Sequence, residues 1–293
     1  MKSTGRKIGV VAFALAVVLG LAMLLTRPKP EAPLPNPNGY VEFFNASALL
    51  SADASNWKTA TQTELQAMVA TNQPALDLVY RGLNQECRVV PYSLTAGTND
   101  HMAELAGTKR IAQAFAAASR LALLQGRTND AVVTALACIR YGQESARGGV
   151  IIDGLVGVAV EMMGLSALED ALPGLNATTA QQTAMELEDL ANNGEPPAEV
   201  LRRETDWMRR GRFGTGNLFL RLASPWLNRK VRAAAEQKLS LAVTNLRKAA
   251  IRCAARAYEQ AEGHPPTSVE QLVPQYLQTR PVDAATGKAL ELP

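Results

Sequence analysis

The sequence is poor in the side chains from which metal, disulfide and redox sites are built. It has three cysteines and two histidines among 293 residues. Cys87, Cys138 and Cys253 are too few and too far apart for a zinc ribbon or a C-x-x-C motif. One disulfide with a free thiol is an open alternative, but Cys138 and Cys253 lie in apolar helical patterns, so we expect structural thiols. His101 and His264 lack partners at ligand spacing, and we expect both at the surface or in loops.

The motifs of common catalytic sites are also missing from the sequence. There is no G-x-S-x-G elbow, no Walker lysine loop and no G-x-G-x-x-G fingerprint. Ser55 and Lys58 fit the S-x-x-K pattern of penicillin-binding enzymes, but the companion S-D-N and K-T-G motifs are absent. The sequence therefore predicts no cofactor and no metal, and it identifies no catalytic residue.

Aromatic residues are scarce, at 5% of the chain, whereas 47% of the residues are hydrophobic and 19% are charged. That balance is typical of a protein with a folded core. Abundant alanine and leucine favour helices that pack closely through small side chains over a sandwich of β-strands. We therefore predict an all-α fold, with a small β-hairpin as the only exception, at 282–292.

The net charge of +3 comes from the first 37 residues, so the bulk charge gives no support for nucleic-acid binding. The remaining charges are segregated along the chain. Residues 38–194 carry 9 basic and 16 acidic groups, residues 195–256 carry 14 and 5, and residues 257–293 carry 2 and 5. This pattern predicts a basic element packed among acidic ones.

A membrane anchor is predicted at the N-terminus. Ile8 to Leu25 is a run of 18 residues without a charge, which is long enough to span a bilayer as a helix. A cleaved signal peptide is the alternative, but its apolar region is usually about 7 to 15 residues. Lys2, Arg6 and Lys7 precede the run and favour a cytoplasmic N-terminus. We expect a single-pass protein of the bacterial inner membrane, with its domain in the periplasm or otherwise outside the cytoplasm.

A proline-rich spacer follows the anchor, with five prolines between residues 28 and 37. Proline at this density prevents helix formation and favours extended polyproline II. At ~3.1 Å per residue, we expect residues 27–38 to hold the domain roughly 30 Å from the bilayer.

Helix-start signals recur after the spacer. Residues 40–50 predict a first short helix, and Thr61 with Glu64 forms a capping-box pattern for a second. A third helix is expected to begin near Pro74, with Asn72 as its cap, and to end near Asn84.

A helical hairpin is predicted in the middle of the chain. Ala103 to Leu124 is rich in alanine and leucine, Gly126 marks a helix end, and an apolar face restarts at Val132. The segment 121–136 resembles the inner half of a tetratricopeptide (TPR) unit. No second copy occurs at a 34-residue period, so we expect an isolated TPR-like hairpin rather than an array.

An apolar helix is predicted after Gly148-Gly149, and it carries two acids, Asp153 and Glu161. These residues are eight apart and so lie on roughly one helix face. A solvated or salt-bridged face is the simpler expectation, because such side chains are rarely buried without partners. A functional pair of carboxylates is the alternative.

An arginine-rich segment follows a helix start at Pro196-Pro197. It constitutes a candidate interaction patch for an acidic protein surface or anionic lipid headgroups. Pairing with the acidic residues 38–194 is the simpler explanation of the same charges. The patch consists of Arg202, Arg203, Arg209, Arg210 and Arg212.

The last long helix is predicted to begin at Ser224-Pro225 and to end at Gly263, with a break or a coiled-coil partner because of its length. The segment from its last turns to the C-terminus resembles type II secretion pseudopilins. The residues that match are Tyr258, Gly263, Pro265, Ser268, Leu272, Pro281 and Asp283.

The N-terminus departs from that family, because it has neither the prepilin-peptidase site nor its glutamate. The whole chain is similar instead to uncharacterised bacterial membrane-anchored proteins with an all-helical middle and a pseudopilin-like tail. The resemblance implies an architecture and a compartment. The predicted organisation is a basic tail (1–7), a transmembrane helix (8–26), the spacer (27–38), a helical domain (39–224) and a long helix with the pseudopilin-like segment (225–293).

Two functions follow as hypotheses. The first is a membrane-tethered protein-interaction or scaffold component of the cell envelope, which is not an enzyme. The second is a hydrolase whose site is built from scattered carboxylates such as Asp153 and Glu161. A groove lined with apolar and arginine side chains would favour the first, and two carboxylates 5 to 9 Å apart in a deep cleft would favour the second.

Overall fold

The computed structural model describes residues 32–91, 98–211 and 229–292, with the side chains of 98, 99 and 209–211 left out. Its helices confirm the predicted all-α fold, and these ranges contain no β-strand. The predicted transmembrane helix lies outside the described residues, as does Ser224-Pro225. The helices are α1 (Gly39–Leu49), α2 (Gln62–Leu83), α3 (Thr98–Leu124), α4 (Thr128–Ala146), α5 (Ile151–Ala171), α6 (Ala177–Asn193), α7 (Pro197–Gly211) and α8 (Arg229–Glu262), with 3₁₀ turns at Leu172–Gly174 and Val269–Leu272.

Helix α2 begins at the predicted capping box. The Thr61 hydroxyl accepts from the Glu64 amide, and the Glu64 carboxylate accepts from the Thr61 amide at 2.7 Å. The predicted break at Pro74 is wrong, because α2 continues through it to Leu83. Asn72 does not cap a helix: its side-chain oxygen accepts from the amides of Ser51 and Ala52, so it fixes the preceding loop instead.

Helices α3 and α4 form the predicted antiparallel hairpin. Gly126 closes the turn with φ of 74°, a left-handed conformation that glycine adopts without steric cost. Beyond the turn, the Ser119 hydroxyl donates to the carbonyl of Ala131 at 2.8 Å and ties the two helices together. The likeness of this hairpin to a TPR unit stays a prediction.

Helix α5 lies at the centre of the fold and packs against both α4 and α8. A methyl group on Gly142 of α4 would lie 2.7 Å from the carbonyl oxygen of Gly157 on α5, so the two backbones approach too closely for any side chain there. Among the described helices, α5 with its 3₁₀ extension is long and apolar enough to cross a membrane, but more than half of it is buried. Its surroundings are those of a core helix.

Helices α5 and α8 run parallel, and α6 packs beside them. Asn245 contacts Met162, Arg252 pairs with Glu169, and Arg256 donates to the carbonyl of Pro173; in each pair the partners are 83 residues apart. Fully buried leucines from α6 and α8, such as Leu187 and Leu246, fill the main core with alanines around them. In the described part α8 is continuous over 34 residues.

The C-terminal segment folds back on α8. Gly263 ends the helix with φ of 78°, and His264 lies exposed in the following loop, as predicted. The expected hairpin at 282–292 is reduced to one antiparallel bridge, between Val282 and Ala289. The hydroxyl of Thr244 on α8 accepts from the amide of Ala284 at 2.9 Å and holds this turn in place.

The three cysteines are structural thiols, as predicted. Cys87, Cys138 and Cys253 are buried, and no disulfide joins them. Burial raises the pKa of each thiol to about 12, so none is a thiolate at neutral pH.

Candidate functional site

A groove of about 600 Å³ opens on the surface of the described part of the chain. Four segments line it: the end of the spacer, the extended residues 85–91, the end of α4 with the loop 147–150, and α7. Its apolar surface comes from Leu34, Val89, Val150 and Trp207, and its polar surface from arginines and carboxylates. We call this cavity the arginine groove.

The loop 147–150 forms the base of the groove because neighbouring segments hold its backbone on both sides. The Val89 amide donates to the carbonyl of Arg147 at 2.9 Å. On the other side, the Gly148 amide donates to Glu195, and Arg203 donates to the carbonyl of Gly149 at 2.8 Å. Glu195 and helix α7 thus bind this loop largely through polar groups.

Glu204 of α7 adds another contact by accepting from the amide of Ile151 at 3.1 Å, at the start of α5. Burial raises the pKa of Glu204, the Ile151 amide lowers it, and the charge of Asp153 raises it further. Together these effects raise the pKa of Glu204, because the surroundings beneath α7 have low polarity. The small apolar cluster beside it contains Ile151, Val200, Leu201, Ala235 and Leu239.

The carboxylates beside the predicted patch are engaged in ion pairs. Arg203 pairs with Glu195, while Arg202 pairs with Asp206 and Glu199, each at 2.8 Å. The predicted internal pairing is therefore present, but its partners lie within the basic block 195–256, so the expectation that residues 38–194 supply them is wrong for both arginines. Spacing within one helix explains the pairs of Arg202, because residues three and four apart are neighbours, whereas Glu195 lies before the helix and eight residues from Arg203.

Two of the five predicted patch residues, Arg202 and Arg203, line the groove. The side chains of Arg209 and Arg210 lie outside the described set, and so does the whole of Arg212.

Three further arginines line the groove that the charge pattern did not single out. Arg147 makes a two-pronged contact with Glu144, both bonds at 2.8 Å. Arg140 donates to the carbonyl of Leu83 at 2.6 Å and so caps the end of α2. These residues are scattered in the acidic half of the sequence, and only the tertiary fold brings them to α7.

Arg88 is the fifth arginine of the groove, and it packs over Gly148. A methyl group on Gly148 would lie 2.6 Å from the Arg88 Cγ. Its Nε is buried without a hydrogen-bond partner among the described residues, and its nearest acid is Glu86 at 3.8 Å. Arg88 thus has one long ion pair among the described residues, and its side chain is 30% exposed.

The end of the spacer belongs to the folded domain. The Asn38 side chain bridges the backbone of Arg88, accepting from its amide at 2.9 Å and donating to its carbonyl at 2.8 Å. The Gly39 amide also donates to the carbonyl of Glu86 at 3.0 Å. Ala32 and Leu34 then line the groove. Part of the segment predicted as a spacer thus lies along the domain, and its bounds of 27–38 stay a prediction.

His101 lies in a buried polar cluster behind the groove, and the expectation of a surface or loop position is wrong. It is 4% exposed, with one ring nitrogen 2.7 Å from Asp153 and the other 3.1 Å from Glu104. Burial alone would lower the pKa of His101, but the hydrogen bonds and charges of Asp153 and Glu104 raise it. A protonated ring satisfies both carboxylates at once.

Asp153 occupies a structural position: it pairs with His101, which is the salt-bridged form of the expectation, whereas Glu161 is neither solvated nor salt-bridged within the described residues. Asp153 is 2% exposed; its second oxygen accepts from the Val150 amide at 2.7 Å and so caps α5. The Tyr40 hydroxyl joins the cluster through Glu104 at 3.2 Å, and burial together with Glu104 raises the pKa of Tyr40. An acid three residues into a predicted helix was the signal for this cap. Nothing in the sequence marked its pairing with His101, 52 residues away.

Glu161 is also buried, at 8% exposure, and it has neither an ion pair nor a side-chain hydrogen bond within the described ranges. Burial raises its pKa to about 8, so the carboxyl is mostly protonated at neutral pH. Neither Asp153 nor Glu161 lines the arginine groove. Residues 32–91, 98–211 and 229–292 also hold no cluster of three histidine, cysteine or acidic side chains arranged to bind a metal.

Comparison with known protein families, with curated proteins and with solved structures found no match.

Proposed function

We propose that this chain is a membrane-tethered, extracytoplasmic scaffold protein of the bacterial envelope that binds an extended segment of another protein in the arginine groove. The anchor at 8–26 holds it at the inner membrane. The TPR-like hairpin and the pseudopilin-like tail belong to the same proposal, because both are typical of proteins that assemble with others.

The groove is the observation that carries this proposal. Apolar side chains such as Val150 and Trp207 offer contacts to a partner's side chains, and arginines surround them. Interfaces are enriched in tryptophan and arginine for this reason. Because the Arg88 side chain is 30% exposed beside Val89, its guanidinium offers donors to a partner carboxylate or backbone carbonyl.

The arrangement of carboxylates gives less support to a hydrolase. A general acid and base must reach a substrate in a cavity. Asp153 is occupied by His101 and the Val150 amide, and Glu161 is enclosed by packing. In the groove itself, Glu144, Glu195 and Asp206 are each paired with an arginine.

Site-specific photo-cross-linking in the native membrane tests the proposal. A photoreactive residue at Leu34, 42% exposed on the groove, is expected to form a defined protein adduct. The matched control is the same residue at Val133, which is 62% exposed on α4 and does not line the groove. Loss of the Leu34 adduct in Arg88→Glu would place the contact in the groove. Equal labelling from both positions, or none from Leu34, would contradict the proposal.

A further inference from the structure

Helix α1 carries large apolar side chains on both its inner and its outer face. Its inner face, with Tyr40, Phe43 and Ala46, is buried in the core. Its outer face carries Val41, Phe44 and Leu49, which are 48%, 52% and 47% exposed. Residues at this spacing form one stripe along a helix. The exposed Asn45 is on the same face, so the stripe is a patch of three large apolar side chains, and exposed patches of this kind often mark a contact with a partner or a membrane.

The surroundings of the stripe combine apolar and basic groups. Helix α1 packs along α3, where a methyl group on Gly107 would lie 2.6 Å from Ser47, and Met102 at the start of α3 is 55% exposed. Arg110 donates to the carbonyl of Leu50 at the end of α1. Arg81, 65% exposed, lies beside the first turn of α1, 3.9 Å from Glu42. Apolar side chains flanked by arginines are typical of surfaces that lie in the interface of a bilayer.

The length of chain before the domain selects the membrane as the occupant. The apolar run ends at Leu25, and the folded part begins at Ala32 on the groove. Only six residues separate them, a reach of about 19 Å at ~3.1 Å per residue in polyproline II. Because α1 begins seven residues after Ala32, a bilayer that holds the predicted anchor would be within reach of its outer stripe.

We propose that the outer stripe of α1 lies on the membrane surface, with Phe44 inserted among the headgroups and Arg81 and Arg110 near lipid phosphates. The proposal rests on the tether in the proposed function. The membrane contact gives the domain a fixed orientation on the bilayer. The groove then lies beside the membrane instead of moving freely with the domain on its tether.

The test uses the full-length protein in vesicles of phosphatidylethanolamine and phosphatidylglycerol. A nitroxide label on Phe44→Cys is expected to collide more often with oxygen, which partitions into lipid, than with a water-soluble nickel chelate. Val133→Cys is the matched control, because it lies beyond the turn end of the α3–α4 hairpin, and it should show the reverse preference. Protein without an added cysteine corrects for labelling of the native buried thiols.

The alternatives give different signals. A nickel preference at position 44, while the protein resists alkaline extraction from the vesicles, would overturn the membrane contact and leave the tether intact. Dipolar coupling between labels at position 44 would instead assign the stripe to a second copy of the chain and overturn the proposal. Release of the protein by alkaline extraction would refute the tether itself, and this inference with it.

Discussion

The two sides of helix α5 are built by different chemistry. On one side, α6 and α8 contribute alanines and fully buried leucines to the main core. On the other, Glu195 and Arg203 hold the loop before α5 and Glu204 holds Ile151 at its start, above a small apolar cluster to which α8 also contributes. Apolar packing gives stability that salt and pH alter little, whereas a wall held by charged groups can respond to a charged ligand. The groove lies on the second side.

The largest effect is expected from a cavity on the apolar side. Leu246 of α8 is 0% exposed, so Leu246→Ala should lower the free energy of unfolding by about 2–5 kcal/mol. Leu241→Ala on the same helix removes a side chain that is 50% exposed. This substitution should change the free energy of unfolding by no more than about 0.5 kcal/mol. Urea denaturation monitored by circular dichroism measures both. Similar losses would mean that α8 is not anchored by this core.

Glu161 gives an effect of intermediate size that depends on pH. The folded-state pKa of Glu161, about 8, lies above the ordinary glutamate value of 4.5. The contribution of Glu161 to stability therefore falls as pH rises from about 4.5 through 8. Glu161→Gln removes this loss and should stabilise the protein by about 1–3 kcal/mol at pH 7, with little effect near pH 4.5. Denaturation at several pH values measures the change. A variant less stable than the native protein at pH 7 would show that the carboxylate is charged and bound.

His101 changes stability in the same direction. Because its folded-state pKa is raised, its stabilising contribution is complete below about pH 6.5 and is lost as pH rises through the folded value. In Asp153→Asn the pKa of His101 should fall, as NMR titration of its ring would measure. An unchanged His101 would contradict the pairing.

The smallest effect on global stability is expected on the polar side. Arg203→Met removes the bonds to Glu195 and to the Gly149 carbonyl, and it should weaken the attachment of α7 by about 1 kcal/mol. Arg202→Met is the control, because Arg202 pairs with acids of its own helix, Glu199 and Asp206. Limited proteolysis should cleave the Arg203→Met protein faster near α7, and equal rates for both variants would place the attachment elsewhere.

Local signals in the sequence predicted the helices. Contacts between residues far apart in the sequence determine which side chains form the candidate site. The capping box at Thr61 and the glycines at 126 and 263 act within a few residues, so their patterns were sufficient. The break at Pro74 failed because Asn72 bonds a loop 20 residues earlier rather than the next helix turn.

For the candidate site, the charge run identified Arg202 and Arg203, but their setting came from the fold. Arg88, Arg140 and Arg147 line the groove because of the way α2, α4 and α7 pack together. Their spacing in the sequence gives no sign of this arrangement. The same holds for the contact between His101 and Asp153, which gives a buried histidine where a surface one was predicted. A pattern can assign a residue to a helix face, but it does not say which helix covers that face.

Amide hydrogen exchange of the full-length protein in membranes separates the two sides of α5 in one experiment. If charged groups hold the groove wall independently of the core, α7 should exchange by local opening, faster at high salt, while α5, α6 and α8 exchange only on global unfolding. If α7 and α8 instead exchanged at the same rate, with the same response to salt, the groove wall and the core would be one cooperative unit, and the distinction between them would be wrong.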